Sequence, residues 1–175
     1  FGSGDFTSEA WVYFIVPTGS AAVMNQSVGG ASSNSSFCLW MDPGGIGIYV
    51  SDGSGWDYSQ INTTSTSAGQ WYHIAAVRNG TSLKTYVNGT ATGETTLPVG
   101  WALGNSTLDF QVGTQNGGGF FKGYMEDIRV TKGEAKYTAD FSVPTEKLTA
   151  TTTGGTSGLY FVDADGNASL IKEDS

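Results

Sequence analysis

The stretch Trp71-Tyr72-His73-Ile74-Ala75-Ala76-Val77-Arg78, Asn79-Gly80, Leu83-Lys84-Thr85-Tyr86-Val87, Asn88-Gly89 decides the fold. Two runs rich in aromatic and β-branched side chains are each closed by Asn-Gly. That dipeptide supplies the positive φ values that a type I′ hairpin turn demands. The two turns lie nine residues apart, so the stretch predicts an antiparallel meander.

The same alternation of strand runs and turn signals extends in both directions. Upstream, Phe6 to Ile15 ends at Pro17-Thr18-Gly19, and Ala21 to Met24 reads as a short strand. Phe37 to Met41 and Ile46 to Val50 are joined by Asp42-Pro43-Gly44-Gly45, a hairpin connection, and Trp56 to Ile61 follows a second Gly-rich turn. Downstream come Leu108 to Val112 and Phe120 to Val130. A last hairpin over 159–171 has Leu159 to Val162 and Ala168 to Ile171 flanking Asp163-Ala164-Asp165-Gly166-Asn167. No window sustains helical periodicity. Nine or ten short strands without a repeat predict an all-β, two-sheet antiparallel jelly-roll sandwich. One domain is expected over 1–175, with 146–158 as a linker-like stretch before the C-terminal hairpin.

Composition narrows the function classes. Gly accounts for 26 of 175 residues and charged side chains for only 14%, while aromatics at 13% belong to a folded chain. The net charge of −8 repels phosphate backbones and anionic lipid, and no basic cluster offsets it, so no nucleic-acid partner is expected. No apolar stretch approaches the roughly 18 residues of a membrane span. Cys38 lies in an apolar run and reads as a buried free thiol. The chain opens at Phe1 without Met and reads as a piece of a longer polypeptide. Seven of the eight asparagines open an N-x-Ser/Thr sequon, a pattern read here as compositional.

Several segments together resemble the concanavalin A/laminin G-like superfamily. Asp5 to Tyr13 resembles its opening strand, and Trp71 to Ala75 with Tyr86-Val87-Asn88-Gly89 its central hairpin. Val112-Gly113 with Phe121 to Val130 resembles its closing strands. Thr131 to Phe141 is similar to a tail found in laminin G-like domains of tailed-bacteriophage virion proteins. The family usually carries strands before the opening motif. Those are absent here, and the 159–171 hairpin is expected to fill the gap. The resemblance implies a lectin-like, non-catalytic module exposed outside the cell or on a virion surface, on a fibre, tail or capsid. It would recognise cell-surface glycan and contact other virion subunits. A structural decoration or assembly protein without a ligand is the alternative, and a glycoside hydrolase a more distant one.

The candidate sites follow from chemistry. Glycosidases need two convergent carboxylates about 5 Å apart or wider. Here Glu126-Asp127 are neighbours on a strand and point to opposite faces, with Asp127 expected to order a turn or pair with Arg129. No catalytic residue is assigned. His73, the only histidine, reads as a hydrogen-bonded strand residue. Trp11, Trp40 and Trp71 fall in strand runs and read as core. Sugar binding would use loop aromatics with polar neighbours, namely Trp56, Tyr58 and Trp101 with Asp52 and Asn105. By resemblance to laminin G-like and pentraxin relatives, Ca²⁺ would be held by Gln115, Asn116, Asp52 and Asp57 at the rim.

Overall fold

The central strands of this chain are apolar on one face, and such strands persist only when a second sheet covers that face. The computed structural model describes residues 1–15, 21–28, 34–42, 44–55, 57–61, 66–115, 118–146, 148, 158–162 and 168–173. The chain divides into two units, Phe1–Val143 and Pro144–Ser175. The first holds β1 (Phe6–Phe14), β2 (Ala21–Asn25), β3 (Phe37–Asp42), β4 (Gly45–Val50), β5 (Tyr58–Ile61), β6 (Trp71–Asn79), β7 (Ser82–Val87), β8 (Thr90–Thr96), β9 (Gln111–Val112) and β10 (Gly123–Lys132). They pair antiparallel in two five-stranded sheets, ordered β10-β1-β6-β7-β8 and β5-β4-β3-β2-β9. The jelly-roll sandwich expected from the sequence is the fold observed. The second unit contributes β11 (Gly158–Val162) and β12 (Ala168–Glu173), which form a two-stranded sheet of their own. The two strands of the hairpin expected at 159–171 pair antiparallel with each other. Their turn, 163–167, lies outside the described residues.

The central meander forms as expected, with one change of frame. Val87 pairs with Thr90, so Asn88 (φ 49°) and Gly89 (φ 79°) are the two turn residues of a type I′ hairpin. At the first turn Asn79 pairs with Ser82, which makes Gly80 and Thr81 the central pair. Only Gly80, at φ 60°, is positive, which is what a type II′ turn requires. Asn79 is thus the last residue of β6 rather than a turn residue.

The core lies between the sheets. Phe6, Ala10, Val12 and Phe14 of β1 and Tyr72, Ile74 and Ala76 of β6 meet Phe37, Leu39 and Met41 of β3 and Ile46, Ile48 and Val50 of β4. Nine of these side chains are fully sealed at 0% exposure, and each large one stabilises the fold by about 1.5–3 kcal/mol. The alternate residues of β1 (Thr7, Glu9, Trp11 and Tyr13) point the other way, onto the outer face of the first sheet.

Half of that outer face is covered by the segment after β10. Tyr137 and Phe141 stack on each other with centroids 3.6 Å apart, and both pack on Ala75, Val77 and Tyr86. The segment is fastened by backbone and side-chain bonds. The Thr7 hydroxyl donates to the Glu134 carbonyl, the Ala91 N–H to Asp140, and the Phe141 N–H to the Gly89 carbonyl. Beneath it, Glu9 is wholly buried. Its carboxylate accepts from Arg129 Nε at 2.8 Å and Nη2 at 2.6 Å, from the Tyr137 hydroxyl at 2.7 Å, and lies 3.2 Å from His73 Nε2. His73 is therefore the hydrogen-bonded strand histidine the sequence suggested.

Arg129 reaches Glu9 because of a β-bulge. Glu9 pairs with Arg129 but Trp11 pairs with Glu126, so Asp127 and Ile128 both oppose Ala10, and Asp127 adopts φ 49°. One extra residue inverts the faces beyond it. Met125 packs inward before the bulge and Val130 after it, while Arg129 turns outward. The expected Asp127–Arg129 pairing assumed an unbroken alternation, and the bulge removes that premise.

Burial alone would push the Glu9 carboxyl up; its donors His73, Tyr137 and Arg129 outweigh that and hold it below its ordinary value of 4.5. A depressed folded-state value contributes stability that is present above pH 4.5 and lost as pH falls further. Glu9→Gln is expected to lower stability at pH 7 by about 3–5 kcal/mol and to flatten this acid dependence. Urea titrations at pH 7 and pH 3 check it. Equal acid sensitivity in both proteins would remove Glu9 as its source.

Candidate functional site

The end of the sandwich where β4 and β6 both terminate is assembled around one cation. Arg78 closes an apolar run on the core face of β6 and is only 2% exposed. Its guanidinium donates to the carbonyls of Gly80 (3.0 Å), Gly2 (3.1 Å) and Trp101 (2.6 Å), joining three distant segments. Asp5 closes the arrangement by accepting from the Gly80 N–H at 2.7 Å. The Arg78 guanidinium also lies 5.6 Å from the Trp101 ring centroid, where the ring's negative face attracts it.

Two loops meet there. Pro98 to Trp101 forms a turn closed by a 3.1 Å bond, with Gly100 at φ 78°. Leu103 then donates to the Gly2 carbonyl and Gly104 to the Ser51 carbonyl. Gly104 rests so closely on the Asp52–Gly53 backbone that a Cβ would come within 2.6 Å of the Asp52 carbonyl carbon. Any side chain at 104 would force the loops apart.

Most of the predicted ligand residues are gathered at this rim. Tyr58, at the start of β5, meets Trp101 edge to face with centroids 5.4 Å apart. Both rings are half-buried and rest against the core. Asp52 accepts from the Ser54 N–H at 2.9 Å and hydroxyl at 2.6 Å, and Asp57 accepts from the Asp52 N–H at 2.6 Å. The Ser54 hydroxyl and N–H hold the Asp52 carboxyl below the ordinary carboxylate range, so it is anionic near neutral pH. Asn105 follows Gly104 and is exposed. Trp56 lies outside the described residues.

The predicted calcium ligands are divided between two places. Asp52 and Asp57 share the rim loop. Gln115 follows β9 and donates its amide to Ser27 Oγ at 2.7 Å and towards Cys38 Sγ at 3.5 Å. Asn116 lies outside the described residues. Among the described residues, no three or more His, Cys, Asp or Glu side chains cluster as metal ligands. Burial pushes the Cys38 thiol up to about 12, which leaves it protonated and unreactive at neutral pH.

The strand tryptophans are corrected by the structure. Trp11, Trp40 and Trp71 were expected in the core, yet each stands on an outer sheet face. Trp40 lies over Gly47 of the neighbouring strand and stacks beside Tyr49, with centroids 5.8 Å apart. A glycine between Ile46 and Ile48 was the available signal, because glycine inside a strand marks a close approach. Trp11 packs on His73, and Trp71 is 37% exposed beside Tyr13. Period-two reading places Trp11 and Tyr13 opposite Ala10 and Val12; it does not say which face is covered.

A family model of the concanavalin A-like lectin/glucanases superfamily matches residues 1–140. The chain belongs to that superfamily. No curated protein sequence matches the chain. Among solved structures, a candidate carbohydrate-binding protein from Bacteroides ovatus is similar over 100% of this chain and 55% of its own, at 17% identity and TM-score 0.62. Domain 4 of the extracellular arabinanase AbnA from Geobacillus stearothermophilus, solved with arabinotriose, is similar over 77% of this chain and 63% of its own, at 18% identity and TM-score 0.57. The CBM40 of the Ruminococcus gnavus IT-sialidase is similar over 78% of this chain and 79% of its own, at 15% identity and TM-score 0.62. The chain thus spans little more than half of the first of these. At such identities the likeness establishes the sandwich that this superfamily member shares with them. Within that sandwich the rim depends on Arg78.

Arg78→Ala is expected to lower stability by about 3 kcal/mol, because three carbonyls lose a charged donor. The thermal midpoint should fall by roughly 6–12 °C. A melt followed by tryptophan emission, red-shifted as Trp101 loses its cover, checks this. An unchanged midpoint would show that the rim stands without Arg78.

Proposed function

We propose that this chain is a non-catalytic glycan-binding module whose site is the rim where residues 51–55 and 101–105 meet. The observation that carries this reading is the contact of Gly104 with Ser51–Gly53. It holds an aromatic pair, Tyr58 and Trp101, beside an ordered carboxylate at Asp52 and the exposed amide of Asn105. Aromatic rings suit the C–H faces of a sugar, and carboxylate and amide groups suit its hydroxyls. Arg78 fixes the loop backbone in advance, so little ordering entropy is lost when a ligand docks. The carbohydrate-binding structures that share the fold support the same reading.

The reading has no catalytic step. Glu126 is exposed and Asp127, its neighbour in the chain, is half-buried in the bulge at φ 49°. For setting, the resemblance of residues 131–141 to tails of phage laminin G-like domains supports display on a virion fibre, tail or capsid, facing cell-surface polysaccharide and neighbouring virion subunits.

A glycan array, run with calcium and again with a chelator, tests the proposal. Saturable binding is expected, weakened about tenfold by Asn105→Ala, a loss of about 1.4 kcal/mol. Trp101→Ala is expected to weaken it at least as much. Loss of binding in chelator alone would identify an ion held through Asp52 and Asp57. Absence of binding to every glycan, with a stoichiometric contact to a neighbouring subunit, would establish the assembly role instead.

A further inference from the structure

On the outer face of the first sheet, beyond Trp11 and His73, three aromatic rings stand in a row, Trp71 and Tyr124 exposed and Tyr13 half-buried between them. Tyr13 on β1 is the direct cross-strand partner of both Trp71 on β6 and Tyr124 on β10. Its ring centroid lies 5.5 Å from that of Trp71 and 5.7 Å from that of Tyr124. Trp71 is 37% exposed and Tyr124 59% exposed. The row runs across the strands, at the opposite end of β1 and β6 from Phe6 and Arg78, and so from the rim.

Solvent-facing positions of an antiparallel sandwich are ordinarily polar. Cross-strand aromatic pairs do stabilise a sheet, by about 0.2–1 kcal/mol each. That gain does not require leaving more than half of Tyr124 in water on an edge strand. Three rings at directly opposed positions on three adjacent strands form a surface shaped to receive something.

We propose that Trp71, Tyr13 and Tyr124 form a second carbohydrate surface, for a single soluble chain of neutral polysaccharide. Two observations select this occupant. The flanking exposed side chains include Lys122 and Glu126, one of each sign, on a protein of net charge −8. A polyanion gains nothing there and is repelled at longer range. Successive rings are turned by 58° and 49°. A flat crystalline polymer face needs coplanar rings. Rings turned against each other suit a free chain whose sugars rotate from one to the next. The surface stands apart from the rim and does not depend on ligand binding there.

Affinity electrophoresis of the whole chain tests this. Laminarin, mixed-linkage glucan and amylose serve as soluble neutral chains, hyaluronan as a polyanion, and microcrystalline cellulose pull-down as a flat face. Retardation by at least one soluble neutral chain is expected, with none by hyaluronan and no pull-down. Tyr124→Ala and Trp71→Ala should each weaken it about tenfold; weakening by Asn105→Ala alone would assign the bound chain to the rim. Tyr124 is on an edge strand and mostly exposed, so its variant carries the test if Trp71→Ala does not fold. Three results would overturn the proposal: no retardation by any neutral chain, retardation untouched by Tyr124→Ala, or sugar-independent dimerisation abolished by Tyr124→Ala. The last would assign the row to a second copy of the chain.

Discussion

A single carboxylate organises the first sheet. Glu9 is buried among aromatic rings, where an unpaired charge would cost several kcal/mol. Its neighbours are therefore determined: Arg129 from the next strand, His73 from the strand on the other side, and Tyr137 from the segment that closes over it. Each donor fixes a different part of the chain. The Arg129 contact needs the bulge at Asp127–Ile128, the His73 contact needs the β1–β6 register, and the Tyr137 contact needs the covering segment in place. Loss of any one leaves the charge undersatisfied, so the three features stand or fall together.

Arg78 plays the corresponding part at the sandwich rim, with the signs reversed. A buried cation there is answered by three backbone carbonyls and by Asp5 nearby rather than by a buried carboxylate. Carbonyl partners belong to the backbone and are indifferent to side-chain identity. Loop residues such as Asn105 are thereby free to vary in chemistry while the loop keeps its place. A recognition surface on a fixed frame requires that separation.

Much of this fold is legible in the sequence because it is local. Asn88-Gly89 announces its hairpin, and the alternation Phe6, Ala10, Val12, Phe14 announces the buried face of β1. What is illegible is non-local or depends on one residue of register. Nothing adjacent to Asp127 marks it as the extra residue that turns Arg129 outward. Two of the three carbonyls that receive Arg78 lie 76 and 23 residues away in the chain. The tryptophans mislead for a related reason. A strand position reads as interior when its run is apolar, yet β1 and β6 have two faces, and a distant segment covers only part of one. At the rim, Tyr58, Trp101, Asp52 and Asn105 could be nominated from loop position alone. That Gly104 brings their loops into contact could not.

The stacked Tyr137 and Phe141 bear on where one excises this domain. The family match ends at residue 140, between the acid that caps the Ala91 amide and the ring that completes the stack. A profile boundary records where sequences stop resembling one another, whereas a folding boundary is where the last apolar side chain is covered. Here the unit runs to Val143, three residues past the match, and one of the three, Phe141, is the outer lid over the Glu9 network. This chain cut after residue 140 would bare Tyr137 and, through it, loosen a charge that is meant to stay dry.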